Sequence, residues 1–199
     1  GFRPRMARTC RGSRKINLTV LGPNLVLIGL RGSGKSTLGA RVAERLGCGF
    51  VDLDDVTARV LGCDGAGEAI AQHGMDAFRA AERTALETQL STLGRVIALG
   101  GGTPTADGCD ALLRNAQRDG RCRVMYLKAS PTTLRARLES SDNSDRPSLT
   151  GGDVLDEIET VYAQRDPLYM DLAESVIHVD QVSLDSVLAA VVALAKAGV

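Results

Sequence analysis

The 199-residue sequence predicts an α/β fold, with strands and helices alternating around a parallel sheet, and three observations point to it. Leu25-Val26-Leu27-Ile28 is a short continuous apolar run, the pattern of a strand buried on both faces. Directly after it, Gly29-Leu30-Arg31-Gly32-Ser33-Gly34-Lys35-Ser36-Thr37 matches G-x-x-x-x-G-K-[ST], a phosphate-binding loop. Leu38, Val42 and Leu46 then recur at helical spacing, so strand, loop and helix follow one another in the order the motif requires.

The residue types in the loop follow from the charge they must hold. Backbone N–H groups from Gly32 to Ser36 can wrap a polyphosphate only if glycines let the chain turn tightly and approach closely. The N-terminus of the following helix adds the positive end of its dipole. Lys35 is placed to span the β and γ phosphates of a nucleoside triphosphate, and the Ser36 hydroxyl to ligate the Mg²⁺ that bridges them, while Thr37 starts the helix.

The remaining elements can be taken in order. Gly22-Pro23 marks the start of the domain proper, and the first helix is expected to end at Gly47. Phe50-Val51-Asp52 reads as a second strand that delivers Asp52 and Asp54 to its C-terminal end. In an extended segment residues two apart point the same way, so these two carboxylates are expected to share a face. One could hold a metal-bound water and the other accept a hydrogen bond from an acceptor hydroxyl. The competing use is to cap the next helix, which Asp54 or Asp55 could do. Ala69 to Gly74 closes a short helix, and Met75 to Leu93 forms a long one with Phe78, Ala81, Ala85 and Leu86 facing the core. On that helix Arg79 and Glu82 lie three apart, a spacing typical of a solvated helix salt bridge.

Arg95 to Leu99 is the next buried strand, and Gly100-Gly101-Gly102 at its end lets a ligand touch backbone. Ala106 to Asp119 is expected to be helical and Val124 to Leu127 a strand, after which Pro131 opens a helix with Leu134 and Leu138 inward. Residues 140–152 are polar, glycine-ended and without apolar periodicity, with Arg146-Pro147 in their middle, which predicts a mobile lid. Helix resumes from Asp153 to Met170, carrying Arg165; Val176 to Val179 is the last strand, and a helix over Val187 to Leu194 closes the chain.

Composition fits one domain over residues 21–199, at 44% hydrophobic and 24% charged. No apolar run approaches the ~20 residues of a membrane helix, so no membrane partner is expected. Six of the 24 bases and none of the 24 acids fall in residues 1–15, leaving 18 bases against 24 acids in the body. An acidic body argues against nucleic acid as a partner. The start is Arg-rich and acid-poor like a transit peptide, yet it has no helical apolar stripe, and residues 1–20 read as a disordered basic tail. Five cysteines in an odd count with no C-x-x-C pair point to a reducing, cytoplasmic setting.

Taken in order, Gly29 to Thr37, Asp52-x-Asp54, Phe78-Arg79 with Glu82, the glycine triplet, Arg146-Pro147 and Arg165-x-Pro167-Leu168-Tyr169 resemble the shikimate kinases. The resemblance implies a three-layer α/β/α P-loop fold with a five-stranded parallel sheet, in a monomer that transfers the ATP γ-phosphoryl group to the 3-hydroxyl of shikimate in chorismate biosynthesis. By position, Lys35 resembles the phosphate lysine, Ser36 the direct Mg²⁺ ligand and Asp52 a ligand through water. Asp54 resembles the aspartate that holds the shikimate hydroxyls. Arg79, Arg165 and the Gly101-Gly102 backbone correspond to the groups that take the carboxylate and ring, with Glu82 supporting the arginines. Arg146 matches a lid arginine that reaches the phosphates, and Arg137 one that covers adenine. The stretch Asp180 to Ser183 carries no nucleotide assignment. The alternatives are a kinase for another hydroxy acid such as gluconate, or a non-catalytic nucleotide-binding relative.

Overall fold

In a computed structural model, which describes residues 22–140 and 157–197, the five strands form one all-parallel sheet of order β2-β3-β1-β4-β5. β1 (Asn24–Ile28) lies at its centre, hydrogen-bonded to β3 (Arg95–Ala98) on one side and β4 (Cys122–Lys128) on the other. All five β1 residues are buried, and since alternate residues point to opposite faces, both faces of the sheet are covered. β2 (Gly49–Asp52) and β5 (Ser175–His178) form the edges. Asn24, the one polar residue of β1, is fully buried; its amide donates to Thr92 O at 2.6 Å and accepts from Arg95 N at 3.0 Å, which ties the start of β1 to the connection leading into β3.

The helices fall largely where hydrophobic periodicity predicts them. α1 (Lys35–Leu46) buries Leu38, Val42 and Leu46 and ends at Gly47, whose φ of 68° is the left-handed conformation that closes a helix. α5 (Pro131–Glu139) buries Leu134 and Leu138, and Ser130 caps it by accepting from Thr133 N. α7 (Leu184–Ala197) packs on α1. No helix among the described residues is long and apolar enough to cross a membrane.

Several expectations are corrected. The short and long helices expected on either side of Gly74 are both present within α3 (Ala66–Ser91): Gly74, at φ 83° and ψ 163°, leaves helical geometry and kinks the element there, and the short helix starts at Ala66, not Ala69. Leu93 lies beyond α3 and is exposed. On α3 the inward position next to Ala81 belongs to Glu82, which is fully buried while Ala81 is half-buried, so the Arg79–Glu82 pair is no solvated surface bridge. α4 runs Cys109–Arg118 and does not begin at Ala106: Thr103–Thr105 form a 3₁₀ turn, and Gly108 at φ 72° resets the chain before the helix starts. α6 spans Ile158–Leu172, running two residues past the predicted Met170 and retaining Pro167 inside it, while residues 153–156 of the predicted helix lie outside the described residues. The basic tail, the lid and Arg146 lie outside the described residues. Four described cysteines are free; burial pushes the Cys109 thiol up to about 11 and Cys122 up to about 12, which keeps both as inert packing groups.

Candidate active site

All the predicted groups that are described gather at the carboxyl edge of the sheet, where open α/β folds bind ligands. The phosphate-binding loop leaves β1 with Gly32 at φ 83° and Gly34 at φ 92°, conformations that exclude most side chains. Gly34 also stands at the N-cap of α1, which has no side-chain cap and no acid in its first turn. The positive end of the helix dipole thus has no acid of its own first turn to meet. Lys35 is buried and its Nζ donates to Gly29 O at 2.9 Å and Leu30 O at 3.0 Å, holding the ammonium over the loop. Ser33 Oγ is buried in the same loop with no hydrogen-bond partner. Ser36 and Thr37 are exposed at the helix start.

The two aspartates are not arranged as an extended segment would place them. Asp52 ends β2 and is the N-cap of α2 (Leu53–Val60), its Oδ1 accepting from Asp54 N at 3.1 Å; Asp54 therefore sits in the first helical turn. Capping falls to Asp52, not to Asp54 or Asp55, and the two carboxylates face different neighbours. Asp52 Oδ2 accepts from Ser36 Oγ at 2.5 Å, beside the phosphate loop. Asp54, 6% exposed, points toward the glycine triplet.

That triplet is set by close approach. A Cβ on Gly100 would strike Asp54 Oδ1, Glu82 Oε1 and Thr103 Oγ1; on Gly101 it would lie 2.9 Å from Arg31 N; on Gly102 it would enter the Arg79 guanidinium. Arg79 Nη1 donates to Glu82 Oε2 at 2.5 Å, and Thr103 Oγ1 donates to Glu82 Oε1. Burial pushes the Glu82 carboxyl up, and the Arg79 charge is the largest influence in the opposite direction. From α6, Arg165 Nη1 donates to Gly101 O at 2.7 Å and Tyr169 Oη to the same carbonyl at 2.5 Å. Tyr169 is fully buried, packs edge-on to Tyr126 at 5.4 Å between centroids, and has its phenol pushed up to about 12 by that burial. On the far side of α6, Asp166 accepts from Tyr126 Oη and Lys128 Nζ, both at 2.9 Å, which fixes the helix to β4. Arg31, Asp54, Arg79, Gly100 to Gly102 and Arg165 line one cavity with an apolar wall of Ile70, Met75 and Phe78.

A second cavity opens on the other side of the phosphate loop, lined by Gly32 to Gly34, Thr37 and Arg137 with Val179, Val182, Leu184 and Val187. Arg137 donates to Val179 O at 2.8 Å and, more weakly, to Gly32 O at 3.3 Å and Ser33 O at 3.4 Å. Asp180 accepts from Ser130 N and Oγ at 2.9 Å each, and its carboxyl is held below the usual range, chiefly by a hydrogen bond from Thr133. The segment left unassigned from sequence, 180–183, is therefore anchored at the rim of this cavity and supplies its apolar floor through Val182.

The Shikimate kinase family model matches residues 31–196, a span that runs from the phosphate loop almost to the end of α7. The chain belongs to the shikimate kinase family. Members are ATP-dependent kinases that phosphorylate shikimate. A shikimate kinase from Nitratidesulfovibrio vulgaris is 40% identical over 155 residues, 77% of this chain and 85% of that one. Shikimate kinase 2 from Yersinia enterocolitica is 35% identical over 158 residues, 79% of this chain and 87% of that one. Among solved structures, shikimate kinase from Acinetobacter baumannii in complex with shikimate superposes with a TM-score of 0.80 at 26% identity, covering 92% of this chain and 98% of that one.

Within this shikimate kinase fold the structure brings together every described residue singled out from sequence. Lys35, Ser36 and Asp52 lie on the loop side, with Thr37 and Arg137 on the second cavity; Asp54, Arg79, Gly101, Gly102 and Arg165 line the first. Sequence reasoning missed Arg31, Thr103 and Met75, and gave Tyr169 no role. Arg31 had a signal, being a cation inside the loop motif. So did Tyr169, four residues after Arg165 and hence on the same helical face. Met75 and Thr103 had none, because their positions depend on the bend at Gly74 and on the 3₁₀ turn.

Proposed function

We propose that Arg79 and Arg165 hold the shikimate carboxylate, that the Gly101-Gly102 backbone and the Met75–Phe78 wall seat its ring, and that Asp54 orients and deprotonates the attacking 3-hydroxyl. Lys35 and the α1 N-terminus take the β and γ phosphates of ATP, whose adenine occupies the second cavity beside Arg137 and Val182. The observation that carries this reading is the close approach of Gly101 to the phosphate loop at Arg31, a residue that itself lines the acceptor cavity, so that this cavity borders the loop. Direct transfer needs that adjacency, since donor phosphorus and acceptor oxygen must come nearly into contact in line.

Mg²⁺ belongs to the same reading. Ser36 Oγ and Asp52 Oδ2 offer two adjacent oxygen donors at the loop, and among the described residues no group of three or more His, Cys, Asp or Glu could hold a metal. That donor set fits a hard cation that keeps waters and binds mainly through substrate phosphates. When bound, the ion neutralises charge on the phosphate oxygens. The protein's part is to position: guanidiniums match a planar carboxylate in a fork, and the Asp54 carboxylate lines the same cavity to meet hydroxyls. We place the chain in the cytoplasm, and as a monomer, whose molar mass light scattering after size exclusion would check.

Coupled ADP release with ATP-Mg²⁺ against shikimate, gluconate and nucleoside monophosphates tests the assignment. Saturable turnover with shikimate alone is expected; equal release with gluconate overturns it.

A further inference from the structure

Glu82 is fully buried, and its two oxygens have separate donors: Oε2 receives the Arg79 guanidinium and Oε1 the Thr103 hydroxyl. Thr103 is itself fully buried and fixed by its own backbone, with its N–H on Gly100 O at 3.1 Å and its carbonyl accepting from Ala106 N at 3.1 Å. Gly100 closes the space around the contact, since a Cβ there would lie 2.8 Å from Glu82 Oε1 and 2.9 Å from Thr103 Oγ1. A carboxylate gripped at one oxygen only can rotate about its Cγ–Cδ bond. Gripped at both, it presents a fixed edge to the arginine.

We propose that Thr103 is a positioning residue for acceptor binding, whose hydroxyl fixes the Glu82 carboxylate and, through it, the Arg79 guanidinium that meets the carboxylate of shikimate. This rests on the assignment of Arg79 made above. The charged and titratable groups around Glu82 are Arg79 on its own helix, Asp54 from α2, Cys109 from α4 and Tyr169 from α6. Only Arg79 among these brings a positive charge, so Thr103 is the other group that favours the ionised carboxyl; the thiol, phenol and Asp54 do not. Losing it removes a hydrogen bond to a charged group, and the neutral form of Glu82 becomes easier to reach as pH falls.

The test compares steady-state kinetics of Thr103→Val, Thr103→Ser and Arg79→Ala. Thr103→Val should raise the shikimate KM at least about fivefold with kcat and the ATP KM within about twofold, the size expected for one charge-assisted bond. It should also shift upward the pH below which shikimate KM climbs, and Thr103→Ser should restore both. Thr103→Ala against Thr103→Ser isolates the hydroxyl at equal loss of the methyl group, so the comparison survives if Thr103→Val does not fold. If Arg79→Ala raises shikimate KM and removal of the Thr103 hydroxyl does not, the positioning role is overturned and the assignment of Arg79 stands. If Arg79→Ala leaves shikimate KM unchanged, that assignment falls first. A variant that melts earlier without moving shikimate KM or its pH dependence marks a structural hydroxyl only and also overturns the proposal.

Discussion

Gly102→Ala separates the acceptor pocket from the fold that carries it. The backbone at Gly102 has φ −116° and ψ −7°, which alanine adopts without strain, so in the folded state the substitution acts through the added methyl. That methyl would enter the Arg79 guanidinium, 3.1 Å from Cζ and 3.2 Å from Nη1. The obstacle is the far end of a flexible side chain that is 27% exposed, and Arg79 can swing toward solvent. For stability, two effects oppose. Replacing glycine removes unfolded-state freedom worth about 0.4–1 kcal/mol, while the lost bond to buried Glu82 costs about 1.5–3 kcal/mol. A net loss of about 1–2 kcal/mol lowers Tm by a few degrees in a domain of this size. For binding, the displaced fork no longer meets the carboxylate, another charge-assisted contact of about 1.5–3 kcal/mol, or about ten- to a hundredfold in shikimate KM. Coupled ADP release over a range of shikimate concentrations at saturating ATP reads the second effect, and a thermal melt the first. A shikimate KM within twofold of wild type refutes the placement of Arg79 on the acceptor.

Gly100→Ala should behave differently, because its methyl meets three short, buried oxygens of Asp54, Glu82 and Thr103 that have nowhere to go; a melt should show a loss of about 2 kcal/mol or more along with activity. Asp54→Asn should lower kcat at least about a hundredfold with ATP KM near normal, since this carboxylate lies against the triplet in the acceptor cavity; parallel loss of ATP affinity would make it a nucleotide-side residue. Tyr169→Phe tests the buried phenol by pH. Its value is raised from about 10 to about 12, so its stabilisation is complete below pH ~10 and is lost as pH rises toward 12; alkaline melts of wild type should fall more steeply over that window than those of Tyr169→Phe, by about 3 kcal/mol in total, and coincident curves would refute it.

Strand positions, the phosphate loop and α1 were legible because each rests on a local rule: a continuous apolar run, glycine spacing, apolar residues three to four apart. The aspartate pair was misread because the same rule was carried one residue too far. Asp52 ends the extended segment and caps the helix, so a two-residue spacing no longer means a shared face, and the separation of the two carboxylates onto loop and triplet sides could come only from the turn between them. Glu82 was misread for the opposite reason. Arg79 and Glu82 at i and i+3 look alike in sequence whether their face is wet or dry, and what makes it dry is the triplet, twenty residues later, closing over it with Thr103. The acceptor pocket is nonlocal in this sense: its residues come from the phosphate loop, α2, α3, the glycine triplet after β3 and α6, and its lining charges Arg31, Asp54, Arg79 and Arg165 stand far apart in sequence.

The buried Glu82 shows why such a pocket is retained. Its carboxyl value is raised by burial, so the stability associated with it is present below the ordinary glutamate range and is lost as pH rises through the folded value, a cost of ionisation that Arg79 and Thr103 reduce. An apolar residue there would be easier to bury. What it could not do is hold Arg79 at the rim of the cavity before any acid arrives, with the guanidinium already aimed and part of its charge already matched. On the proposed assignment of Arg79 and Arg165, a pocket built that way would favour an anionic acceptor over a neutral one, because a neutral polyol would desolvate the two guanidiniums without supplying a carboxylate to match their charge.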